Sequence, residues 1–163
     1  MNLHFEELTG TDGARIGIAS LVAEKSLNAL SLPMINALRD QLDAWAKEPQ
    51  IVCVLLRGKG AKAFCAGGEV RSLVQACRAH PGEVPPLAGQ FFAAEYRLDF
   101  NLHTYPKPLI CWGHGYVLGG GMGLASACDI CIAGDKAVFA TSEVKFGIIP
   151  SSFSAYVIRA IGE

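Results

Sequence analysis

The sequence predicts an α/β domain in which helices cover parallel strands. Residues 51–57, "IVCVLLR", form a continuous apolar run of the kind found in strands buried on both faces. The preceding segment, "SLPMINALRDQLDAWAKE", has helical periodicity and places on one face Met34, Leu38, Leu42 and Trp45. A helix followed by a buried strand is typical of a βαβ unit, and therefore of a parallel sheet.

The rest of the chain predicts further strands and helices in alternation. The opening segments "LHFEEL" and "RIGIASLV", separated by "TGTDG", predict a hairpin. Segments with helical spacing lie at residues 69–79, 91–105 and 151–162, with a loop at residues 80–90. Short apolar segments predict strands, which we expect to be buried, at residues 109–113 and 129–134, with another at 137–141.

Composition limits the classes of function. The chain has 163 residues, of which 51% are apolar and 18% charged, so we expect one globular domain over residues 1–163. The net charge of −1 gives no overall attraction for nucleic acid, and we predict no nucleic-acid partner. One local basic patch, "RGKGAK", contains Arg57, Lys59 and Lys62. The first ten residues lack the pattern of a secretory signal, which favours a cytoplasmic protein.

Six cysteines lie mostly in apolar surroundings, as free thiols do in reducing compartments. Cys128 and Cys131 form a CxxC, but no second pair or nearby histidine completes a zinc site. If both lie in one strand, their spacing points them to opposite faces. We therefore predict no metal site.

Residues 108–128 raise the alternative of a membrane helix. The run is apolar and long enough to span a bilayer, and Gly115, Gly119 and Gly123 give GxxxG spacing. However, "PKP" abuts its start and six glycines interrupt it. This pattern favours a short strand, a glycine turn and a helix, and we predict no membrane association.

Two glycine loops each follow a predicted buried strand and precede a predicted helix. They are "KAFCAGGEV" and "GGGMGLA". Ligands bind at such junctions because helix N-termini present unpaired N–H donors and glycine lets a ligand approach the backbone. No phosphate-loop pattern is present, and "GHGYVLG" is out of register for a dinucleotide fingerprint. Together the loops could supply one N–H each to a single carbonyl oxygen.

These segments resemble the crotonase superfamily, the enoyl-CoA hydratase/isomerase group. The resemblance is carried by "KAFCAGGEV", by "GYVLGGGMGLASACDICIAGDKAVFATSEVKFGIIP" and by "LNALS" with its helix, and covers residues 16–163. It implies the ClpP/crotonase fold of repeated β-β-α turns. "YPKP" and "KAFCAGG" are most similar to 3-hydroxyisobutyryl-CoA hydrolases, whereas "SEVKFGIIP" and "AYVIRAIGE" are more similar to methylglutaconyl-CoA-type hydratases.

The resemblance implies an acyl-CoA substrate and no separate cofactor. The backbone N–H groups of Gly68 and Gly120 would bind the thioester oxygen. Lys62 and Ala66 would lie in the loop that lines the adenine and phosphates of CoA. The resemblance also implies a homo-oligomer, either a trimer or a dimer of trimers. Relatives usually continue past "AIGE" with a helical segment, which we expect to be missing here.

The catalytic acids depart from both patterns. Glu143 matches the second glutamate of hydratases, but Gly123 stands where these enzymes carry the first. Hydrolase relatives have an aspartate where this chain has Ser151, and the resemblance implies that Gly123 and Ser151 contact the substrate. One carboxylate can still run syn hydration, so we expect an enoyl-CoA hydratase with Glu143 as acid/base. The alternatives are a 3-hydroxyisobutyryl-CoA-type thioester hydrolase, an enoyl-CoA isomerase and a catalytically silent CoA-binding domain.

Overall fold

A computed structural model describes residues 2–147, 149–150 and 153–162. The strands are β1 Leu3–Thr9, β2 Arg15–Leu21, β3 Ile51–Gly58, β4 Ala63–Cys65, β5 Leu109–Gly113, β6 Tyr116–Leu118, β7 Ile130–Ala133 and β8 Val138–Ala140. The α-helices are α1 Leu32–Lys47, α2 Val70–Ala79, α3 Pro86–His103, α4 Gly120–Ala127 and α5 Ser154–Ile161. Two short 3-10 helices span Glu24–Ser26 and Ser142–Phe146.

The strands form two sheets. The larger has the order β1-β2-β3-β5-β7, in which β1 and β2 are antiparallel and all other pairs are parallel. The smaller sheet has the order β4-β6-β8 and is parallel. After β2, each strand of the large sheet is followed by one of the small sheet and then by helix. This alternation is the repeated β-β-α turn that the resemblance implied, and the α/β prediction is confirmed.

The structure corrects several local predictions. Strands β4 and β6 were not predicted, because a three-residue strand is too short to show periodicity. Strand β7 was expected to be buried, but all four of its residues are exposed because it forms the edge of the large sheet. Helix α3 begins at Pro86, inside the predicted loop, since proline suits the first turn of a helix.

Side chains of the "YPKP" segment form hydrogen bonds to α1 and to the residue that follows it. Lys107 Nζ donates to the carbonyls of Trp45 and Glu48, both at 2.6 Å, and Tyr105 Oη donates to the carbonyl of Leu42 at 2.8 Å. The bonds to Trp45 and Glu48 lie at the C-terminal end of α1, where carbonyl groups lack intrahelical partners. The two donor residues lie directly before β5 and so fix the strand that leads to the glycine triplet.

Helix α4 packs so closely on β4 that a side chain at Gly121 would not fit. A Cβ built there collides with the carbonyl oxygen of Cys65, a backbone atom that cannot rotate away. Gly89, in α3, has open space around the same position. We expect Gly121→Ala to lower the free energy of unfolding by about 1–3 kcal/mol or more. Gly89→Ala should raise it by about 0.5–1 kcal/mol. Urea unfolding of the two variants checks the pair; equal effects would contradict the packing described.

Among the described residues, no helix is long and apolar enough to cross a membrane. The apolar run at residues 108–128 is divided among β5, β6 and α4, as its glycines predicted.

Candidate active site

The first glycine turn joins β4 to α2. Gly67 has a φ of +95°, a left-handed conformation that favours glycine. Its carbonyl accepts from Leu30 N at 2.8 Å, and Glu69 N donates to the carbonyl of Leu30 at 2.7 Å. The side chain of Glu69 caps α2 by accepting from Arg71 N at 3.2 Å. In the part of the chain that the structure describes, Gly68 N–H, between these anchored residues, donates to no acceptor.

The second glycine turn joins β6 to α4. Gly119 has a φ of +52°, and its N–H donates to the carbonyl of Ala140 at 3.1 Å. Gly120 follows as the first residue of the helix, where N–H groups have no intrahelical partner. No acceptor for Gly120 N–H is found among residues 2–147, 149–150 and 153–162.

The two turns lie against each other. A Cβ built on Gly67 would be 3.2 Å from Gly120 N, and one built on Gly120 would be 3.5 Å from Gly68 N. Side chains in these turns would therefore crowd the neighbouring N–H group. The structure thus brings together the Gly68 and Gly120 donors that the sequence predicted.

Glu143 lies in the 3-10 helix Ser142–Phe146, directly after the small sheet. Its Oε1 is 2.8 Å from the position of a Cβ on Gly119, so the carboxylate contacts the second turn. Its Oε2 is buried without a hydrogen-bond partner among the described residues. A buried carboxylate oxygen without a protein partner is destabilising unless water or a ligand satisfies it.

Glu95 brings a second carboxylate to the same turn, and sequence reasoning missed it. It projects from α3, is 7% exposed, and its Oε1 occupies the space that a Cβ on Gly120 would need. The same oxygen is 3.8 Å from the Cβ position of Gly68. Burial, together with the negative charge of Glu143, raises the pKa of Glu95 from 4.5 to about 7. Glu95 can therefore hold a proton near neutral pH.

Asp99 lies one helical turn after Glu95 and is 1% exposed. Its Oδ2 is 3.0 Å from the position of a Cβ on Gly123. Gly123 thus provides no side-chain chemistry but leaves room for a carboxylate from α3. The resemblance pointed to Glu143 alone, whereas the structure brings two further carboxylates, from α3, to the glycines of α4.

The signal for these acids was present in the periodicity of α3. The buried positions of this helix include Phe91, Glu95, Leu98, Asp99 and Leu102. Two carboxylates on the apolar face of a helix are unusual, because burying an ionised group is costly unless a partner compensates its charge.

A cavity of about 320 Å³ lies beside the first turn and contains the predicted Lys62. Lys25 and Lys59 also line it, together with one acidic residue, Glu24. Arg57, part of the predicted basic patch, instead pairs with Glu6 at 2.6 Å and donates to Ser20 Oγ at 2.9 Å. Ala66 does not line the cavity, but its N–H donates at 3.0 Å to the carbonyl of Leu27, which does.

Two further predictions concern Ser151 and the absence of a metal site. Ser151 lies outside the described residues, and its predicted contact with substrate stays a prediction. Within the described ranges, no group of three histidine, cysteine or acidic side chains could hold a metal ion.

Both the sequence and the fold are similar to those of known proteins. The family model for enoyl-CoA hydratase/isomerase matches residues 16–161. The chain belongs to this family. A Bacillus anthracis enoyl-CoA hydratase has the same fold, with a TM-score of 0.86 and 29% identity over 100% of this chain and 59% of its own. A Marinobacter aquaeolei enoyl-CoA hydratase/isomerase matches with a TM-score of 0.85 and 28% identity over 99% of this chain and 59% of its own.

Several curated members of this crotonase superfamily with similar sequences are hydrolases. The mitochondrial 3-hydroxyisobutyryl-CoA hydrolase of Gallus gallus is 37% identical over 142 residues, which is 87% of this chain. The match covers 36% of the hydrolase, so the chain spans little more than a third of such relatives.

Proposed function

We propose that this protein is an acyl-CoA enzyme that adds water to an α,β-unsaturated thioester. The observation that carries the proposal is the pair of carboxylates, Glu143 and Glu95, on a glycine turn whose N–H donor is unpaired. One of the pair can hold a proton near neutral pH while the other has a free buried oxygen. An acid and a base beside an oxyanion site are what hydration requires.

The two N–H groups act on the thioester carbonyl. Donors from Gly68 and Gly120 would polarise it and stabilise the enolate oxygen that forms when water adds to the β-carbon. Both donors are backbone groups in anchored turns, so little reorganisation accompanies the reaction. Removing one such donor in other enzymes slows turnover by about 10²–10³.

The carboxylates move the protons. Glu143 accepts a proton as the water oxygen bonds to the β-carbon, and the π electrons move onto the carbonyl oxygen. Glu95 then donates its proton to the α-carbon as the enolate collapses to the saturated thioester. Proton transfer from Glu143 back to Glu95 restores the starting state, and the net change is addition of one water.

Thioester hydrolysis is a second candidate, favoured by the hydrolase relatives at up to 37% identity. The same donors would hold the oxyanion formed when water attacks the carbonyl carbon. Glu143 would accept the proton of water, and Glu95 would protonate the departing thiolate. Isomerisation needs only one acid to carry a proton between carbons, and Glu143 alone would serve.

The lysine-lined cavity supports CoA as the carrier of the acyl group. The phosphates of CoA are anionic, and ammonium groups bind phosphate as point charges. We expect Lys62→Ala to weaken acyl-CoA binding about five- to tenfold, the effect of roughly 1 kcal/mol. The loss should diminish at high salt, because exposed charges are screened.

Calorimetric titration with CoA at two salt concentrations measures this effect. Lys136→Ala is the matched control, since Lys136 is exposed and does not line the cavity. Equal affinities of the two variants would contradict the assignment of the cavity to CoA.

One assay separates the candidate reactions. The absorbance of the conjugated thioester of crotonyl-CoA or methylglutaconyl-CoA is followed while a thiol reagent reports free CoA, and 3-hydroxyisobutyryl-CoA is tested in parallel. Loss of conjugation without thiol release supports hydration, whereas thiol release moves the protein to the hydrolases. Conversion of 3-enoyl-CoA to conjugated product indicates isomerisation. CoA binding without turnover of any of these thioesters would leave a catalytically silent domain and refute the proposal.

A further inference from the structure

Two cysteines lie side by side on neighbouring strands of the large sheet. Cys111 on β5 and Cys131 on β7 are directly paired in the parallel register. Paired residues of neighbouring strands project from the same face, and their Cα atoms are about 4.8 Å apart. Disulfides join cysteines with Cα separations of about 4.4–6.8 Å, so a bridge is compatible with the strand pairing.

The two thiols differ in access. Cys131 is exposed on the edge strand, whereas Cys111 is fully buried. A cavity of about 680 Å³ reaches Cys131 and is also lined by Met122, Phe139 and Asp129. A small molecule can therefore reach Cys131, whereas Cys111 is shielded from solvent.

The contact between the two thiols also shifts their pKa values in opposite directions. The Cys111 thiol lowers the pKa of Cys131 by hydrogen bonding to its sulfur. The same contact, together with burial, raises the pKa of Cys111. The exposed sulfur therefore gains thiolate character, which makes it the nucleophile, and the buried sulfur keeps its proton.

We propose that Cys131 and Cys111 are a thiol pair that hydroperoxides convert reversibly to a disulfide. The Cys131 sulfur attacks one oxygen of hydrogen peroxide, the O–O bond breaks, and the second oxygen leaves as water. The Cys111 sulfur then attacks the sulfenic sulfur of Cys131, loses its proton and expels the bound oxygen as a second water. Two thiols and one peroxide thus give one disulfide and two waters, and a thiol reductant reverses the change.

Cys128 is less suited to be the partner, although it is close. It caps the end of α4 outside β7, so strand alternation does not govern its direction, contrary to the sequence expectation. Its thiol donates to the carbonyl of Leu124 at 3.2 Å. A Cys111–Cys131 bridge would close residues 112–130 into a loop that contains all of α4 and both Gly119 and Gly120. The disulfide would therefore join the two strands on either side of the second glycine turn.

Peptide mapping of the reduced 163-residue chain after exposure to hydrogen peroxide tests this proposal. Remaining thiols are alkylated, and the chain is cut without reductant after Tyr116 and before Asp129. These cuts place Cys111, Cys128 and Cys131 on three different peptides. We expect the peptides of Cys111 and Cys131 to remain joined, and to separate after reduction.

Variants make the test specific. Cys131→Ser should abolish the cross-link, Cys128→Ser should retain it, and Cys111→Ser should leave a sulfenic acid on Cys131 that dimedone traps. Cys77→Ser is the matched control, since Cys77 is also exposed but lies in α2, and it should change nothing. A bridge between Cys128 and Cys131, or oxidation of Cys77 as fast as that of Cys131, would overturn the proposal.

Discussion

Glu143→Gln is expected to lower kcat for crotonyl-CoA hydration by about 10²–10⁴, the contribution of general acid–base catalysis. Glutamine keeps the size of the side chain but cannot accept the proton of water at its carbonyl oxygen to the same extent. The buried Oε2 of Glu143 has no hydrogen-bond partner in the described ranges, so the change breaks no recorded internal bond. Steady-state kinetics should show a fall in kcat with little change in KM.

Glu83→Gln is the matched control, because Glu83 is exposed in the loop before α3. It should retain wild-type kinetics. Circular dichroism checks that both variants fold. If Glu143→Gln retains full activity while the wild type hydrates crotonyl-CoA, Glu143 is not the base and the mechanism above fails.

Glu95→Gln is the second large effect. We expect kcat to fall by about 10² or more, because glutamine cannot donate a proton to the α-carbon. In the wild type, activity should fall as the pH rises through the pKa of Glu95, about 7, since only the protonated form acts as the acid. Because Glu143 also raises the pKa of Glu95, the fall in activity at high pH reflects the coupled titration of both carboxyl groups. A wild-type pH–rate profile without this limb would contradict the assignment.

The same carboxyl should make stability depend on pH. Its pKa is raised on folding, so the folded chain holds a proton that the unfolded chain has lost between about pH 4.5 and 7. The free energy of unfolding therefore falls as the pH rises through this window, by about 3 kcal/mol in total. Glu95→Gln should remove this loss. Urea unfolding at pH 5 and pH 8 measures the difference between wild type and variant; parallel changes in both would count against a buried, protonated Glu95.

Much of the fold could be predicted from local patterns. The apolar stripe of α1 and the continuous apolar strand β3 carry their own periodicity, and the structure places both as predicted. The small sheet could be predicted only in part. Strand β8 was expected at residues 137–141, whereas β4 and β6 are too short to show a period, and the three strands pair only through tertiary contacts. The exposure of β7 follows from its place at the sheet edge, which no local pattern encodes.

The candidate site, like the fold, could be predicted only in part from local sequence patterns. The two glycine loops could be predicted from their positions after buried strands, and the family resemblance assigned the donor role to Gly68 and Gly120. Glu95 and Asp99 lie on α3, where each fills the space left by a glycine of α4. Such complementarity between two helices is visible only when both are packed. The missing carboxylate at Gly123 therefore looked like a loss of chemistry in the sequence, whereas the structure supplies acids from the facing helix.

The most direct test of the central claim is the state of the thioester carbonyl when it is bound. Crotonyl-CoA labelled with ¹³C at the carbonyl is bound to the Glu143→Gln variant, and isotope-edited infrared difference spectroscopy records the C=O stretch. We predict a shift to lower frequency than in water, because the N–H groups of Gly68 and Gly120 polarise the bond. A carbonyl band at its frequency in water, with CoA bound, would show that these two donors do not form an oxyanion site.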